Sequence, residues 1–304
     1  MADFLLPRPY HPSSTSHHAP AKVNLMLHVV GRMADGYHHL QSLVAFVPMG
    51  DQITVKKSHA LRVTADGPFA EQLPLGDDNI VTTAAHWLAK MYPSIDQADI
   101  HLTKNLPVSS GIGGGSSDAA ATVAALLDLY GISLSLKEQK HLILASGTLG
   151  ADVPLCLAHQ FGHGSLMWVD GSGRESLPVY LNHQLPGIMV LVNPGKPIST
   201  QTIFQQITPP YTSSQACPPF LATDILAYLK AQKNDLMEPA IRQEPSIGEI
   251  IEILQTSPGC TLARMSGSGA TCFGLFGKTQ QALVALAHIQ KHLPQAWSII
   301  APKG

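Results

Sequence analysis

The stretch Pro107-Val-Ser-Ser-Gly-Ile-Gly-Gly-Gly-Ser-Ser-Asp118 runs directly into the alanine-rich segment Ala119-Ala-Ala-Thr-Val-Ala-Ala-Leu-Leu127. Four glycines in the five positions 111–115 allow a turn that has positive φ angles and no side chains. The backbone N–H groups of such a turn converge on a concavity that favours an anion. Serine and aspartate are good helix-starting residues, and alanine is a strong helix former. The stretch therefore predicts a glycine loop that opens a helix, whose N-terminus attracts phosphate.

The glycine loop matches neither of two common nucleotide-binding motifs. A Walker-A loop ends in Lys-Ser or Lys-Thr, whereas Ser116-Ser117 stands here. A dinucleotide-binding fingerprint needs glycine at three set positions, and Gly111-Ile-Gly-Gly-Gly-Ser116 lacks the third. A flexible hinge is an alternative for a run of glycines. The place of this run, between a predicted strand at 100–103 and a predicted helix at 116–130, favours the phosphate loop.

Length, composition and net charge limit the class of protein to which this chain can belong. The 304 residues are enough for two domains, each with its own core. Hydrophobic residues at 45% and charged residues at 13% are typical of a globular protein. A net charge of −2 gives no basic surface for nucleic acid or an anionic membrane, so a phosphate-bearing partner needs a local site. The four widely spaced cysteines include no CxxC pair, which argues against a structural zinc site or a disulfide framework.

The order of apolar patterns predicts an α+β chain. Residues 1–18 hold proline, serine and histidine without periodicity, and we expect a disordered extension there. Alternation from Ala21 to Val29 predicts a strand with one apolar face and with Lys22 and Asn24 together on the opposite face. Short strands are predicted near 43–47, 52–55 and 61–64, and a second α+β domain begins near residue 160. Neither a membrane-spanning apolar run nor a signal-peptide pattern is present, which predicts a cytoplasmic protein.

Asp152 and Lys22 are the candidates for acid–base and electrostatic catalysis. Asp152-Val-Pro154 has the form of a helix start, so its carboxylate is either an N-cap or a base, and the two roles are compatible. Lys22 is either a solvated lysine or a cation that lowers the pKa of a base and stabilises transferred negative charge. The spacing of the residues leaves both alternatives open.

Aromatic rings supply candidates for binding a nucleobase. Tyr37, His38 and Phe204 are flat rings that can stack on a base, and His38 can also hydrogen-bond to a base edge. Packing in the core is the alternative for each. The turn Ser266-Gly-Ser-Gly269 is either a tight bend or a second surface of backbone N–H groups near a phosphate.

Several of these motifs together resemble the GHMP kinase superfamily of small-molecule kinases. The stretch from Pro107 to Ser117 resembles its central glycine motif, and Ser266-Gly-Ser-Gly-Ala270 resembles its C-terminal glycine motif. Three further blocks are similar to one member, which acts on a cytidine diphosphate-linked polyol in the non-mevalonate route to isoprenoids. They are Pro20-Ala-Lys-Val-Asn-Leu-Met-Leu27, Asp35-Gly-Tyr-His-His-Leu40 and Gly150-Ala-Asp-Val-Pro154.

The resemblance implies an α+β, two-domain GHMP kinase fold. Residues 19–162 would form an N-terminal, ATP-binding domain similar to ribosomal protein S5. Residues 163–304 would form a ferredoxin-like C-terminal domain, and the substrate would lie between the two.

The resemblance also implies roles for individual residues. Asp152 would be the general base on the substrate hydroxyl, with Lys22 supporting it electrostatically. The cytidine substrate would contact Asn24, Tyr37, His38, Thr200 and Phe204, with Tyr37 stacked on cytosine and His38 hydrogen-bonded to it. The ATP phosphates would lie on Pro107, Val108, Ser109, Ser110, Gly111, Ile112, Gly113, Gly114, Gly115, Ser116 and Ser117.

The predicted activity is therefore ATP-dependent phosphorylation of the 2-hydroxyl of the cytidine-linked polyol. Mg²⁺ would be held mainly by nucleotide oxygens and water, because the sequence offers no compact cluster of carboxylates. The expected partners are ATP and this small molecule, with no nucleic acid and no membrane. Two alternatives are a homoserine- or mevalonate-type kinase of the same superfamily and a nucleotide-binding protein without catalysis.

Overall fold

A six-stranded sheet organises the N-terminal half of the chain. The computed structural model describes residues 13–34, 36–74, 76–95, 97–171, 179–180, 187–217 and 224–301. The strands are β1 Ser14–Arg32, β2 His38–Lys57, β3 Arg62–Asp66, β4 Ala98–Thr103, β5 Leu166–Gly171 and β6 Val179–Tyr180. Their order in the sheet is β3-β4-β2-β5-β6, and β1 pairs with β2 outside that path.

β1 and β2 form one long antiparallel pair, which corrects two predictions. Ser14 lies opposite Lys56, so residues 14–18 belong to a strand and are not part of a disordered extension. Residues 1–12 of that predicted extension lie outside the described residues. β2 is continuous where several short strands were expected. The register shifts after Pro20, Asn24 and Val29, at irregularities of the bulge type that bend a strand and redirect its side chains.

The middle of β1 is buried on both faces, whereas alternation predicted one polar face. Lys22 and Asn24 share a face as predicted, because Nζ of Lys22 donates to Oδ1 of Asn24 at 3.0 Å. Both side chains point into the protein, with residue exposures of only 4% and 5%. The alternative of a solvated Lys22 is therefore wrong.

Four helices cover the first sheet: α1 Ile80–Met91, α2 Gly114–Leu129, α3 Leu136–Ala145 and α4 Val153–Gln160. α2 contacts β1, β2, α1 and α4, and almost every residue of α2 from Ser117 onward is buried. Its alanines permit this close approach on several sides, since small side chains fill little of the space between packed elements. The predicted helix is confirmed, and it is the central helix of this half.

The second sheet has the strand order of a ferredoxin-like domain. It contains β7 Ile188–Asn193, β8 Cys260–Met265, β9 Cys272–Phe276 and β10 Trp297–Ala301. The order is β10-β7-β9-β8 and all pairings are antiparallel. The helices of this half are α5 Thr200–Gln205, α6 Ile225–Lys230, α7 Met237–Gln243, α8 Ser246–Thr256 and α9 Thr279–His292. Helices α5 to α8 separate β7 from β8, β9 follows β8 directly, and α9 separates β9 from β10. This is the β-α-β-β-α-β pattern, as predicted.

The first sheet extends past the predicted domain boundary at residue 162. β5 pairs with β2 between Leu40 and Ala45, so the change from one sheet to the other falls after residue 180. The reason is that β5 and β6 complete the sheet begun by β1 and β2, a long-range pairing that local patterns do not reveal. Within the described residues, no helix is both long and apolar enough to cross a bilayer.

The two halves share buried surface and hydrogen bonds. One hydrophobic cluster combines Val23 and Leu25 of β1 with Met189 and Phe273 of the second sheet. Arg264 of β8 is buried and donates to backbone carbonyls on both sides, including that of Leu25 at 2.6 Å. Burial lowers the pKa of Arg264 to about 10, which still leaves it charged near neutral pH. This packing fixes β1, and with it Lys22, against the C-terminal half.

Candidate active site

Close backbone approaches explain why the loop at 107–117 is rich in glycine. A Cβ on Gly111, where φ is +75°, would lie 2.4 Å from the carbonyl oxygen of Gly269. A Cβ on Gly113, where φ is +66°, would lie 2.8 Å from Cε of Lys22. Real Cβ atoms do not approach other atoms so closely, and positive φ is disfavoured for residues with side chains. The glycines therefore let β1 and the second glycine turn pack directly against the loop.

Hydrogen bonds from both halves hold this loop in place. The backbone N–H of Lys22 donates to the carbonyl of Ile112 at 2.9 Å, and that of Thr271 donates to Ser110 at 3.1 Å. The Ser266 hydroxyl donates to the carbonyl of Gly111 at 3.0 Å. It also accepts from the backbone N–H of Asn24 at 3.0 Å. A loop fixed in this way is not a free hinge, and the turn at 266–269 is both a strand connection and a support for the loop.

The helix after the loop begins earlier than predicted. Gly113, in the left-handed conformation, is the N-cap of α2, and the first helical residue is Gly114. The expected capping by serine or Asp118 is therefore wrong, because the chain uses a glycine conformation to enter the helix. Gly114, Gly115 and Ser116 line the cavity described below. The first N–H groups of a helix have no intrahelical partner, so this end of α2 is suited to an anion.

Two predicted loop residues point elsewhere. Ile112 is fully buried in the hydrophobic cluster shared by the two halves. Ser117 is buried, and its hydroxyl has no hydrogen-bond partner in the described structure. Neither side chain lines the cavity, and the backbone N–H of Ser117 already donates to the carbonyl of Gly113 at 2.9 Å.

The side chains of Lys22 and Asp152 form an ion pair at the start of α4. Nζ of Lys22 lies 2.7 Å from Oδ2 of Asp152, and the side chains are 5% and 45% exposed respectively. Asp152 occupies the N-cap position of α4, yet its side chain accepts no capping hydrogen bond. The carboxylate is therefore held by Lys22 and not by the helix. This resolves the alternatives for both residues in favour of a charged pair that faces the cavity.

A chain of hydrogen bonds orients the Lys22 ammonium. Nζ of Lys22 donates to Oδ1 of Asn24 at 3.0 Å, and Nδ2 of Asn24 donates to the Ser42 hydroxyl at 2.8 Å. The Ser42 hydroxyl in turn donates to the carbonyl of Met26 at 2.6 Å. Each side chain has its donors and acceptors matched to a neighbour, which restricts its conformation. Asn24 is thus placed between the ion pair and β2.

An aromatic cluster lies beside the cavity. The ring of His38 stacks on that of Phe204, with centroids 5.1 Å apart and an interplanar angle of 25°. Tyr211 approaches His38 edge-on, with centroids 6.4 Å apart. Burial, aided by the positive charge of Arg32, lowers the pKa of His38. The imidazole is therefore neutral at pH 7 and has one donor and one acceptor nitrogen.

One cavity of about 740 Å³ brings most of the predicted residues together. The ion pair, the glycine loop, and Thr200 and Phe204 of α5 all line this cavity. Tyr37 and His38 are not part of the cavity wall, and Tyr37 is 46% exposed. The predicted residues that line the cavity are Lys22, Asn24, Pro107, Val108, Ser109, Ser110, Gly111, Gly113, Gly114, Gly115, Ser116, Asp152, Thr200 and Phe204.

Comparison with known proteins agrees with this architecture. The chain matches the family described as GHMP kinases N terminal domain at residues 79–160, and GHMP kinases C terminal at residues 225–295. A protein named 4-diphosphocytidyl-2-C-methyl-D-erythritol kinase from Paramagnetospirillum magneticum is 42% identical, over 95% of this chain and 98% of its own length. The chain belongs to the GHMP kinase family. A protein of the same name from Parvibaculum lavamentivorans is 40% identical, over 94% of this chain and 97% of its length.

Solved structures place this GHMP kinase in the same fold. A crystal structure of 4-(cytidine 5'-diphospho)-2C-methyl-D-erythritol kinase is 30% identical and matches with a TM-score of 0.76, covering 95% of this chain and 100% of that one. A homoserine kinase from Cytophaga hutchinsonii matches with a TM-score of 0.70 at 16% identity, over 98% and 97% of the two chains. The second likeness concerns the fold alone.

Two groups of residues around the loop of this GHMP kinase were not predicted from the sequence. Asp78, Asn79 and Ile80, at the start of α1, line the cavity. Lys104 and Asp118 also line it, and Asp51 lies against Lys104. Lys104, three residues before the start of the loop at Pro107, is a residue that the sequence could have singled out. Its partner Asp51, however, is 53 positions away and could be found only from the fold.

Proposed function

We propose that this GHMP kinase transfers the γ-phosphoryl group of ATP to the 2-hydroxyl of 4-diphosphocytidyl-2-C-methyl-D-erythritol. The observation that carries the proposal is the Lys22–Asp152 pair, which lines one cavity together with the glycine loop and Phe204 of the aromatic cluster. The names of the relatives at about 40% identity support the choice of alcohol. The products are ADP and the 2-phosphate.

The glycine loop is the proposed site for the phosphates of ATP. The start of α2 offers unpaired backbone N–H groups toward the cavity, and the partial positive charge of the helix end favours the anion. The side chains of Ser109, Ser110 and Ser116 lie on the cavity wall. Phosphoryl transfer needs mainly positioning and charge stabilisation. A loop that hydrogen bonds already fix loses little conformational freedom when ATP binds.

Asp152 is the proposed general base. Its carboxylate is nearly half exposed toward the cavity, so a hydroxyl group can reach it. A tertiary alcohol is a crowded, weak nucleophile, and its orientation and the removal of its proton contribute to the rate. Lys22 keeps the carboxylate in place and provides positive charge beside the oxygens on which negative charge develops. The proton passes from the hydroxyl to the Asp152 carboxylate as the new oxygen–phosphorus bond forms. The bond between the γ-phosphorus and the bridging oxygen breaks, and that oxygen leaves with ADP.

We assign the cytidine end of the substrate to the part of the cavity that α5 lines. Phe204 offers a ring face for stacking, and the neutral His38 offers a donor and an acceptor for the cytosine edge. Thr200 hydrogen-bonds to Ser268 at 2.7 Å, which places a hydroxyl at the same wall. Tyr37 is the second proposed stacking partner. Because its side chain is exposed, we expect the bound substrate to cover it.

Mg²⁺ is expected on the ATP phosphates, where it neutralises charge during transfer. Among the described residues, no group of three histidine, cysteine, aspartate or glutamate side chains is arranged to hold a metal ion. Nucleotide oxygens and water are accordingly the expected ligands, a coordination that Mg²⁺ commonly adopts.

A coupled assay of ADP formation with different alcohols tests the proposal. The cytidine-linked methylerythritol should be turned over far better than homoserine or mevalonate. Equal turnover of either of these would support the alternative of a different small-alcohol kinase. Binding of ATP without ADP formation from any of the three would favour a nucleotide-binding protein without catalysis.

A further inference from the structure

Three charged side chains meet directly beneath the glycine loop. Nζ of Lys104 lies 2.5 Å from Oδ2 of Asp51 and 2.6 Å from Oδ2 of Asp118. All three side chains are at most 2% exposed. Lys104 follows β4, Asp51 belongs to β2, and Asp118 is in the second turn of α2. The cluster therefore ties the sheet to the helix that opens at the loop.

The cluster lies against the residue that starts α2. A Cβ on Gly114 would be 3.1 Å from Nζ of Lys104 and 3.7 Å from Oδ2 of Asp51. On its other side, Oδ1 of Asp51 accepts the backbone N–H groups of Asn105 and Leu106, at 2.6 and 2.8 Å. These residues lead into the loop. The same three side chains thus position both ends of the proposed phosphate site.

The charges of the cluster do not balance. Two carboxylates share one ammonium group, so the buried cluster carries one excess negative charge when both carboxylates are ionised. Oδ1 of Asp118 is buried and has no hydrogen-bond partner in the described structure. Burying an unpaired charge is costly, and two carboxylates at one site do not both ionise readily. A proton on Oδ1 of Asp118 removes the excess.

The charged and titratable groups on the neighbouring elements do not neutralise the excess negative charge of the cluster, so the proton on Asp118 is still needed. His18 of β1 lies near Asp51, but burial lowers its pKa, so it is neutral near pH 8. Cys156 of α4 faces Asp118, and burial raises the pKa of its thiol. The ion pair of Lys22 and Asp152 is internally balanced. On α1, His86 and Lys90 are exposed.

We propose that Asp51, Lys104 and Asp118 form a proton-holding positioning site beneath the glycine loop, which takes up a proton when a nucleotide phosphate binds above it. The inference rests on the proposed binding of ATP phosphates at the loop. A phosphate adds negative charge close to the cluster and so disfavours the ionised carboxyl. The proton comes from the solvent buffer and forms an O–H bond at Asp118. Burial raises the pKa of Asp118 to about 8 in the free protein, which places the uptake near and above that pH.

Calorimetric titration of ADP at about pH 8.5, in buffers with different ionisation enthalpies, measures the protons taken up on binding. The wild-type protein should take up a measurable fraction of a proton. Asp118→Asn keeps an acceptor for Lys104 but removes the carboxyl, so its uptake should fall close to zero. Asp128→Asn, an exposed change near the other end of α2, is the matched control and should behave as the wild type does.

Equal uptake by wild type and Asp118→Asn, or no uptake by the wild type, would overturn the proposal. If Asp118→Asn does not fold, the wild-type affinity decides, since it should fall several-fold as pH rises from about 7.5 to 9.5, and a flat profile contradicts the inference. Folded wild-type protein that binds no ADP at all would instead contradict the proposed function.

Discussion

The Lys22 ammonium lies 2.7 Å from the Asp152 carboxylate, and of the two side chains only that of Asp152 is substantially exposed. This asymmetry matches the different functions that we propose for them. The buried lysine is fixed by Asn24 and the chain of hydrogen bonds behind it, whereas the carboxylate reaches into the cavity. A base must contact the substrate, while a supporting charge need not.

Asp152→Asn should lower kcat by about 10²–10⁴-fold, because a positioned general base contributes in that range. The amide has nearly the same shape and can still accept from Lys22, so nucleotide affinity should change little. Steady-state assays and ADP titration measure the two quantities. Asp128→Asn, an exposed carboxylate on α2, is the control. Activity of Asp152→Asn within a few-fold of wild type would exclude the assignment.

Lys22→Met should also reduce kcat more than it reduces nucleotide affinity. Methionine replaces much of the buried aliphatic stem but provides no charge beside the carboxylate, and Oδ1 of Asn24 loses its donor. Loss of a buried hydrogen bond to a charged group costs roughly 1.5–3 kcal/mol, so melting temperatures must accompany the kinetics. A KM effect on ATP with an unchanged kcat would point to ATP binding as the main role of Lys22.

The first glycine of the loop offers a test of backbone packing. Gly111→Ala places a methyl group against the carbonyl of Gly269. Gly76→Ala has the same unfavourable sign of φ, +61°, but its methyl group would have no atom of the described residues within 4 Å. Strain of about 1–2 kcal/mol is common to both, and only Gly111→Ala displaces the second glycine turn. ADP affinity should therefore fall markedly in Gly111→Ala alone. Similar losses in the two variants would mean that strain, not the contact, explains the effect.

Several features of the site could be predicted from local sequence. The glycine loop, the helix after it and the shared face of Lys22 and Asn24 follow from backbone preference and periodicity, which act over a few residues. The start of α2 was misplaced because serine preference competes with a left-handed glycine, and the tertiary contacts at Gly111 and Gly113 select the glycine.

The burial of individual side chains and the identity of their long-range contacts could not be predicted from local sequence. β1 alternates like a half-exposed strand, yet the C-terminal half covers its second face through contacts such as the one between Asn24 and Ser266. The Lys104–Asp51 contact joins residues 53 positions apart. Such contacts depend on how elements pack, information that no short window of sequence contains.

Phe204→Ala should raise the KM for the cytidine substrate by about tenfold or more, since stacking of a base on an aromatic ring contributes about 1–3 kcal/mol. Tyr37→Ala should act in the same direction. The affinity for ATP should stay nearly constant in both variants, because neither side chain belongs to the glycine loop proposed to bind the phosphates. Initial rates with each substrate varied in turn measure this. Parallel changes in both constants would contradict the division of the cavity into two subsites.

The Asp118 carboxyl should make the folded protein less stable as pH rises. Its pKa is raised to about 8 by burial in the folded state, compared with about 3.9 in an unfolded chain. Between these values the folded state binds the extra proton, so the free energy of unfolding is highest below the unfolded pKa and declines up to about pH 8. The slope from this one group is at most about 1.4 kcal/mol per pH unit.

Asp118→Asn removes this slope, so its stability relative to wild type should rise between about pH 6 and 8 and then level off. Urea unfolding at several pH values measures the difference directly, and comparison of the two proteins cancels the other titrating groups that they share. Burial lowers the pKa of His18, which is near Asp51, and this histidine is present in both proteins. A constant difference across the window would show that the wild-type cluster binds no extra proton when folded.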